Sequence, residues 1–160
     1  MNTFGSEVAA FADKAPKLAG IVVKKAAISI FGEIIQTTPV WDGSNGVAGG
    51  QARGNWQAST QGPILDEIDN IDPDGRSTID AMTAAVLGGG NGTDESYTMT
   101  NNQPYIEKLE FGGFPNPPKA GTGKTVGGFS TQAPAGMVRV ACSRWEGYLD
   151  EAIRNAGVTI

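Results

Sequence analysis

The residues Gly123-Lys124-Thr125, at the end of "AGTGKT", are the types that close a phosphate-binding loop, in which curled backbone N–H groups and a lysine hold the phosphates. That template puts its first glycine five residues before Gly123, and the position holds Pro118, which has a locked φ and no N–H. A phosphate-binding loop also follows an apolar strand and opens a helix, whereas "FGGFPNPPK" and "VGGFSTQAP" flank this one. The expectation is a surface loop with Lys124 solvated and no nucleotide bound. A second candidate is the acidic run "DEIDNIDPDGRSTIDA", where Asn70, Asp72, Asp74 and Gly75 fall on positions one, three, five and six of a calcium loop. Its first ligand is a neutral amide, and Ala81 replaces the bidentate glutamate at the twelfth position, so no calcium site is expected. The chain has no histidine and a single cysteine, Cys142, which removes His/Cys metal sites, a Ser–His–Asp triad, a Cys–His pair and an internal disulfide. Cys142 reads as a small buried side chain within a helix.

The elements that carry these residues follow from a chain of 160 residues, enough for one domain with its own core. The 23 glycines and nine prolines cluster in 43–54 and 112–136, which predicts a packed scaffold with two long loops at about 43–52 and 112–131. A net charge of −5 leaves no chain-wide basic surface for gripping nucleic acid. No apolar run reaches the roughly 18 residues of a membrane span, and the start of the sequence lacks a signal-peptide pattern, so a soluble, non-exported protein is expected.

From Phe4 to Gln36 apolar residues recur at intervals of three or four, predicting a short helix that ends near residue 13, before Pro16, and a longer one to about Thr37. Lys14, Lys17, Lys24 and Lys25 read as its solvated face. "TTPVWDG" stops the helix. Strands are expected over about 53–60, with Trp56 in the core, and over 63–68. A turn at Pro73-Asp74-Gly75 leads to a capping box, Ser77 with Asp80, for a helix through Leu87 that "GGGNG" ends. "ESYTMTN" at 95–101 alternates like a strand, and "QPYIEKLEF" predicts a short helix with Pro104 near its first turn. A long last helix carries Met137, Val138, Ala141, Trp145, Tyr148, Leu149 and Ile153 on one face and stops at Gly157. The fold class expected is α+β: long N-terminal and C-terminal helices packed on a small antiparallel sheet, as a single domain over 1–160.

Three segments, in this order, resemble one family: the neck or tail-completion proteins of long-tailed bacteriophages, of the minor tail protein Z type. "TPVWDG…GGQARGNWQ" is similar to its first signature through Thr38, Pro39, Val40, Asp42, Gly50, Arg53, Asn55 and Trp56. "TNNQPYIEKLEFGG" resembles the second through Asn101, Asn102, Pro104, Tyr105, Leu109, Glu110 and Gly112. "TQAPAGMVR" resembles the third through Gln132, Ala133, Pro134, Gly136 and Met137. Trp41 and the segment Ser44 to Gly49 interrupt the first signature, and the 114–130 excursion is long for the pattern.

The resemblance implies a structural virion protein that joins the DNA-filled head to the tail as a homo-oligomeric ring, six copies favoured, around a channel through which DNA passes without specific binding. Its implied partners are a head-closure or connector protein and the tail terminator or tail tube proteins. A tail terminator capping the tail tube is the alternative within virion assembly. A cation-dependent enzyme or binding domain built on Asp66, Glu67, Asp69, Asp72 and Asp74 is the alternative outside it. No catalytic residue, cofactor or membrane association is expected. The motif residues read first as scaffolding: Arg53 paired with Asp42 or the terminal carboxylate, and Asn101 and Asn102 capping a turn that positions Tyr105 and Glu110.

Overall fold

The computed structural model describes residues 4–43, 46, 48–90, 95–118 and 123–157. Its backbone is one helix, α1 (Phe4–Thr37), 34 residues long and continuous through Pro16. The expected break there does not occur. Proline removes one rung of the hydrogen-bond ladder, and the helix formers around it, Ala9, Ala10, Ala12, Lys14, Ala15 and Lys17, carry the helix across the gap.

The remaining elements are α2 (Gln51–Gly54), β1 (Gln57–Ser59), α3 (Arg76–Gly88), β2 (Thr98–Thr100), α4 (Ile106–Phe111), β3 (Thr125–Val126), β4 (Phe129–Ser130), α5 (Val138–Cys142) and α6 (Trp145–Asn155). The later part of α1 buries Val22, Ala26, Ala27, Ile30, Ile34 and Ile35. Both α3 and α6 run antiparallel against it. Gly75, before α3, lies beside Ile35 and Gln36, while Gly89, after α3, accepts a hydrogen bond from Lys24 Nζ at 2.7 Å. Arg144, before α6, pairs with Glu33, and the carbonyl of Asn155 at its end accepts from Lys25 Nζ at 2.8 Å. Lys24 and Lys25 therefore do not form a solvated face: Lys24 is buried, and both tie off the carbonyl ends of neighbouring helices.

The class is α+β, as expected, but the strands form two separate pairs. β1 pairs antiparallel with β2, Ala58 opposite Met99, and β3 with β4, Val126 opposite Phe129. The second pair is a hairpin whose two turn residues, Gly127 and Gly128, have φ of 59° and 85°, a backbone open to glycine and strained for other residues. The expected strand over 53–60 is a turn of helix followed by three strand residues, because Arg53 and Asn55 spend their side chains on the chain's own carbonyls. No strand forms over 63–68. Side chains hold that segment instead: Asn102 Nδ2 donates to the carbonyls of Ile64 and Asp66, Gln57 Nε2 to that of Asp66, and Asn55 Oδ1 accepts from Ile68 N–H.

The capping box at Ser77 is not formed. Asp72 caps α3, its Oδ1 accepting from Gly75 N–H at 3.0 Å and its Oδ2 from Thr78 N–H at 2.8 Å and the Thr78 and Ser77 hydroxyls at 2.7 and 2.9 Å. A carboxylate is the stronger acceptor, and the turn at Pro73-Asp74-Gly75 brings it back over the helix start. Of the expected stop at "GGGNG", residues 91 and 92 lie outside the described residues.

The long last helix is divided at Ser143-Arg144. Arg144 N–H bonds back three residues to Ala141 and its guanidinium pairs with Glu33. The break lets Met137, just before α5, and Ala141 within it join the main cluster with Ile34, Ile35, Trp56, Met82 and Val86, while α6 places Ala152 on Val22 and Ala26. It also turns Trp145 outward, 40% exposed, and leaves Cys142 exposed, so neither is the core residue that helical spacing suggests.

Candidate functional site

The three motif segments lie far apart in sequence and meet at the carboxyl end of α1. In the first, Thr38 is fully buried and its hydroxyl is shared: Oγ1 donates to the Ile34 carbonyl at 2.7 Å and accepts from Trp56 Nε1–H at 2.8 Å. Trp56, 8% exposed, is a core residue as expected. Arg53 does not pair with Asp42, and the terminal carboxylate lies outside the described residues. Its guanidinium donates to the carbonyls of Gln36 at 2.9 Å, Thr38 at 2.8 Å and Pro73, closing the last turn of α1 against the segment before α3. Burial pulls its pKa down, with Asp72 and Asp74 opposing the shift, and the group stays charged. Asn55, 1% exposed, donates to the carbonyls of Gln51 and Asn70. Gly50 fits because its φ is 108° and a Cβ there would stand 2.6 Å from Pro73 N.

The second segment starts from Asn101, whose Nδ2 donates to the Ala52 carbonyl at 2.7 Å and whose Oδ1 accepts from Gln103 N–H at 3.2 Å, capping the turn as expected, whereas Asn102, expected to cap it too, spends its amide on the carbonyls of Ile64 and Asp66. Pro104 is exposed at that turn, Tyr105 closes it, and Leu109 packs into the core. Glu110, 7% exposed, reaches the third segment: Oε2 accepts from Met137 N–H at 2.7 Å and Val138 N–H at 2.8 Å, Oε1 from Arg139 N–H at 2.9 Å and Arg139 Nε at 3.1 Å. Burial pushes the Glu110 pKa up, and these donors together outweigh it and hold the pKa below the usual carboxylate value. Gly112 ends α4 with φ of 80° and its N–H on the Lys108 carbonyl.

In the third segment, Gln132 brackets the backbone of Val40, its Oε1 accepting from Val40 N–H at 2.9 Å and its Nε2 donating to the Val40 carbonyl at 2.8 Å. Pro134 is exposed and bridges to Gly136, and Met137 is fully buried. Asp42, which the spacing suggested as a partner for Arg53, meets Lys124 at 3.1 Å, and Lys124 Nζ stands 3.5 Å from the centre of the Trp41 ring. Lys124 is therefore not a solvated loop lysine: it ties the β3–β4 hairpin to the chain leaving α1. Lys124-Thr125 opens β3 and no helix, while Ala120-Gly121-Thr122 lie outside the described residues.

Between the three segments lies an open cleft of about 590 Å³. Pro39, Val40, Trp41, Tyr105, Leu109 and Phe114 give it apolar walls, and Asp42, Lys124 and Gln132 line its polar side. Its charged groups, Asp42 and Lys124, already face each other, and among the described residues it brings together no nucleophile with a base. Such a cleft suits apolar side chains of a partner. The acidic run does not assemble around a point: Asp72 serves α3, Asp74 pairs with Arg76 at 3.3 Å, and no group of three or more acidic or cysteine side chains among the described residues is placed to hold a metal ion. Burial raises the Asp72 pKa, and the bonds from Thr78 and Ser77 overcome it and bring it to about 2.

Asp72, Lys24 and Lys124 are the structural residues that pattern reading missed. Asp72 had a signal, since an aspartate ahead of a Pro-Asp-Gly turn is a good helix cap. The other two had none, because their partners are distant in sequence. No family model, curated protein or solved structure matches this chain.

Proposed function

We propose that this chain is a structural protein of the neck of a long-tailed bacteriophage, joining the DNA-filled head to the tail as a closed homo-oligomeric ring around the DNA channel. The reading starts from the resemblance of the three sequence segments. One observation carries it further: those segments do not form three separate local motifs but clasp one another, through Asn101 on Ala52, Glu110 on Met137 to Arg139, and Gln132 on Val40, around a single apolar cleft. Each of the three segments thus contributes lining to one cleft, through Pro39, Tyr105 and Gln132 among others, which suits a protein partner. The net charge of −5 fits a channel that lets DNA pass without holding it. Six copies follow from the analogy with tail symmetry, with a head-closure or connector protein on one side and tail terminator or tube proteins on the other.

The test is an assembly assay. Purified protein is imaged by electron microscopy and added to full heads and finished tails made without it. Rings with a central opening and restored joined particles are expected. Protein that neither forms rings nor joins heads to tails at any concentration overturns the proposal.

A further inference from the structure

The segment 64–72 is bonded like a strand along one edge only. Its carbonyls at Ile64, Asp66 and Asn70 accept from the side-chain amides of Asn102, Gln57 and Asn55, and its N–H groups at Ile68 and Asp72 donate to Asn55 Oδ1 and the Gly50 carbonyl. All of these positions are even-numbered. A period of two is that of an extended chain, in which successive residues turn their N–H and C=O groups to opposite edges. The inner edge is closed as well as bonded, since a Cβ on Gly54 would stand 2.2 Å from the Asn70 carbonyl oxygen.

The odd residues face the other way. Among the described residues, the backbone N–H and C=O groups of Leu65, Glu67, Asp69 and Ile71 meet no protein partner, and each of these residues is exposed. Their side chains alternate with those of Ile64, Ile68 and Asn70, which line a pocket with Trp56 and Met82. The outer edge is therefore a row of unpaired donors and acceptors beneath side chains that read Leu, Glu, Asp, Ile, with Leu65 80% and Ile71 51% exposed. An edge of this kind is a template for another extended chain, and its side chains decide which one.

We infer that the outer edge of 65–71 accepts an added strand from a different protein, an extended segment whose alternate side chains run apolar, basic, basic, apolar. Opposed side chains on one face of a strand pair interact, so the apolar ends meet Leu65 and Ile71 and the cations meet Glu67 and Asp69. Neither carboxylate has an ion pair or hydrogen bond among the described residues, so both are available to an incoming cation. Backbone bonds supply the affinity and the carboxylates the selection. A second copy does not fit. Edge against edge, antiparallel pairing centred on Glu67 sets Glu67 on Glu67 and Leu65 on Asp69. Among the described residues the only Lys or Arg outside a helix or helix cap is Lys124, already on Asp42. The edge shares no residue with the cleft, and the inference stands without the ring reading above.

The test uses the full chain, isotopically labelled, and the acetylated and amidated peptide Thr-Val-Thr-Lys-Thr-Arg-Thr-Val-Thr. Saturating peptide should slow solvent exchange of the Leu65, Glu67, Asp69 and Ile71 amides at least tenfold, followed by NMR, and leave the Asp66 amide unchanged. The same peptide N-methylated at its Val, Lys and Arg residues keeps every side chain, loses the N–H groups aimed at the edge, and should not bind. Glutamate in place of its Lys and Arg should weaken binding at least tenfold, as should Glu67→Lys combined with Asp69→Lys in the protein, with the melting curve unmoved. Equal binding of the N-methylated peptide, equal slowing of odd and even amides, undiminished binding by the lysine variant, or no saturable slowing at any peptide concentration overturns the inference. Slowing of the same amides as the protein alone is concentrated, the mark of a second copy on the edge, overturns it as well.

Discussion

Replacing Glu110 by Gln tests whether the joint between the second and third motif segments is held by a charge. The carboxylate takes four bonds: Met137 and Val138 N–H on one oxygen, Arg139 N–H and Nε on the other. A glutamine keeps one acceptor, so whichever way its amide turns, its NH₂ faces two donors. Two charge-assisted bonds are lost, at about 1.5 kcal/mol or more each. Loss of one side of a buried charged cluster costs about 3–5 kcal/mol in total. The expected destabilisation is therefore about 3 kcal/mol, a fall in melting temperature of roughly 6–12 °C for a chain of this size. The control is Arg139→Met, which removes only the half-exposed partner and leaves the three backbone bonds, with an expected cost of about 1 kcal/mol. Urea and thermal unfolding followed by circular dichroism measure both. If the Glu110→Gln protein melts within about 2 °C of the parent, or the Arg139→Met change costs more, the backbone N–H groups of α5 do not depend on this carboxylate and the reasoning fails.

Asp72 should give stability a pH dependence. Its folded pKa of about 2 lies below the ordinary 3.8, so its contribution is full above about pH 5 and is lost as pH falls through 4 toward 2; the gap between parent and Asp72→Asn in urea unfolding should narrow by about 2 kcal/mol over that range. Met137→Ala, at a fully buried site, should cost about 2–5 kcal/mol and Trp145→Ala less than about 1 kcal/mol, and equal melting of the two would mean the last helices are packed differently. Lys124→Ala removes an exposed ion pair and a ring contact together worth about 1 kcal/mol, and should speed amide exchange in the β3–β4 hairpin while leaving α3 unchanged.

What the sequence determined by itself was what local rules govern. Helical spacing located α1, α3 and α4, and Trp56 was read as core; Gly and Pro clusters marked the two excursions, although the second, expected as a loop over 112–131, folds into the β3–β4 hairpin. The missing histidines bounded the chemistry without any coordinates. Tertiary structure decided everything that depends on a distant partner. Pro16 is the exception, a local misreading: it lies in an unbroken helix because the neighbouring helix formers outweigh one missing bond. The last helix reads as continuous and divides, because Glu110 fixes the start of α5 while Glu33 draws Arg144, rotating Trp145 out of the core. Arg53 went to three carbonyls and Lys124 to Asp42, a pairing no spacing encodes: a charged side chain takes the best acceptor within reach, and reach is set only once α1 has turned at Pro39 and the hairpin has folded back over it.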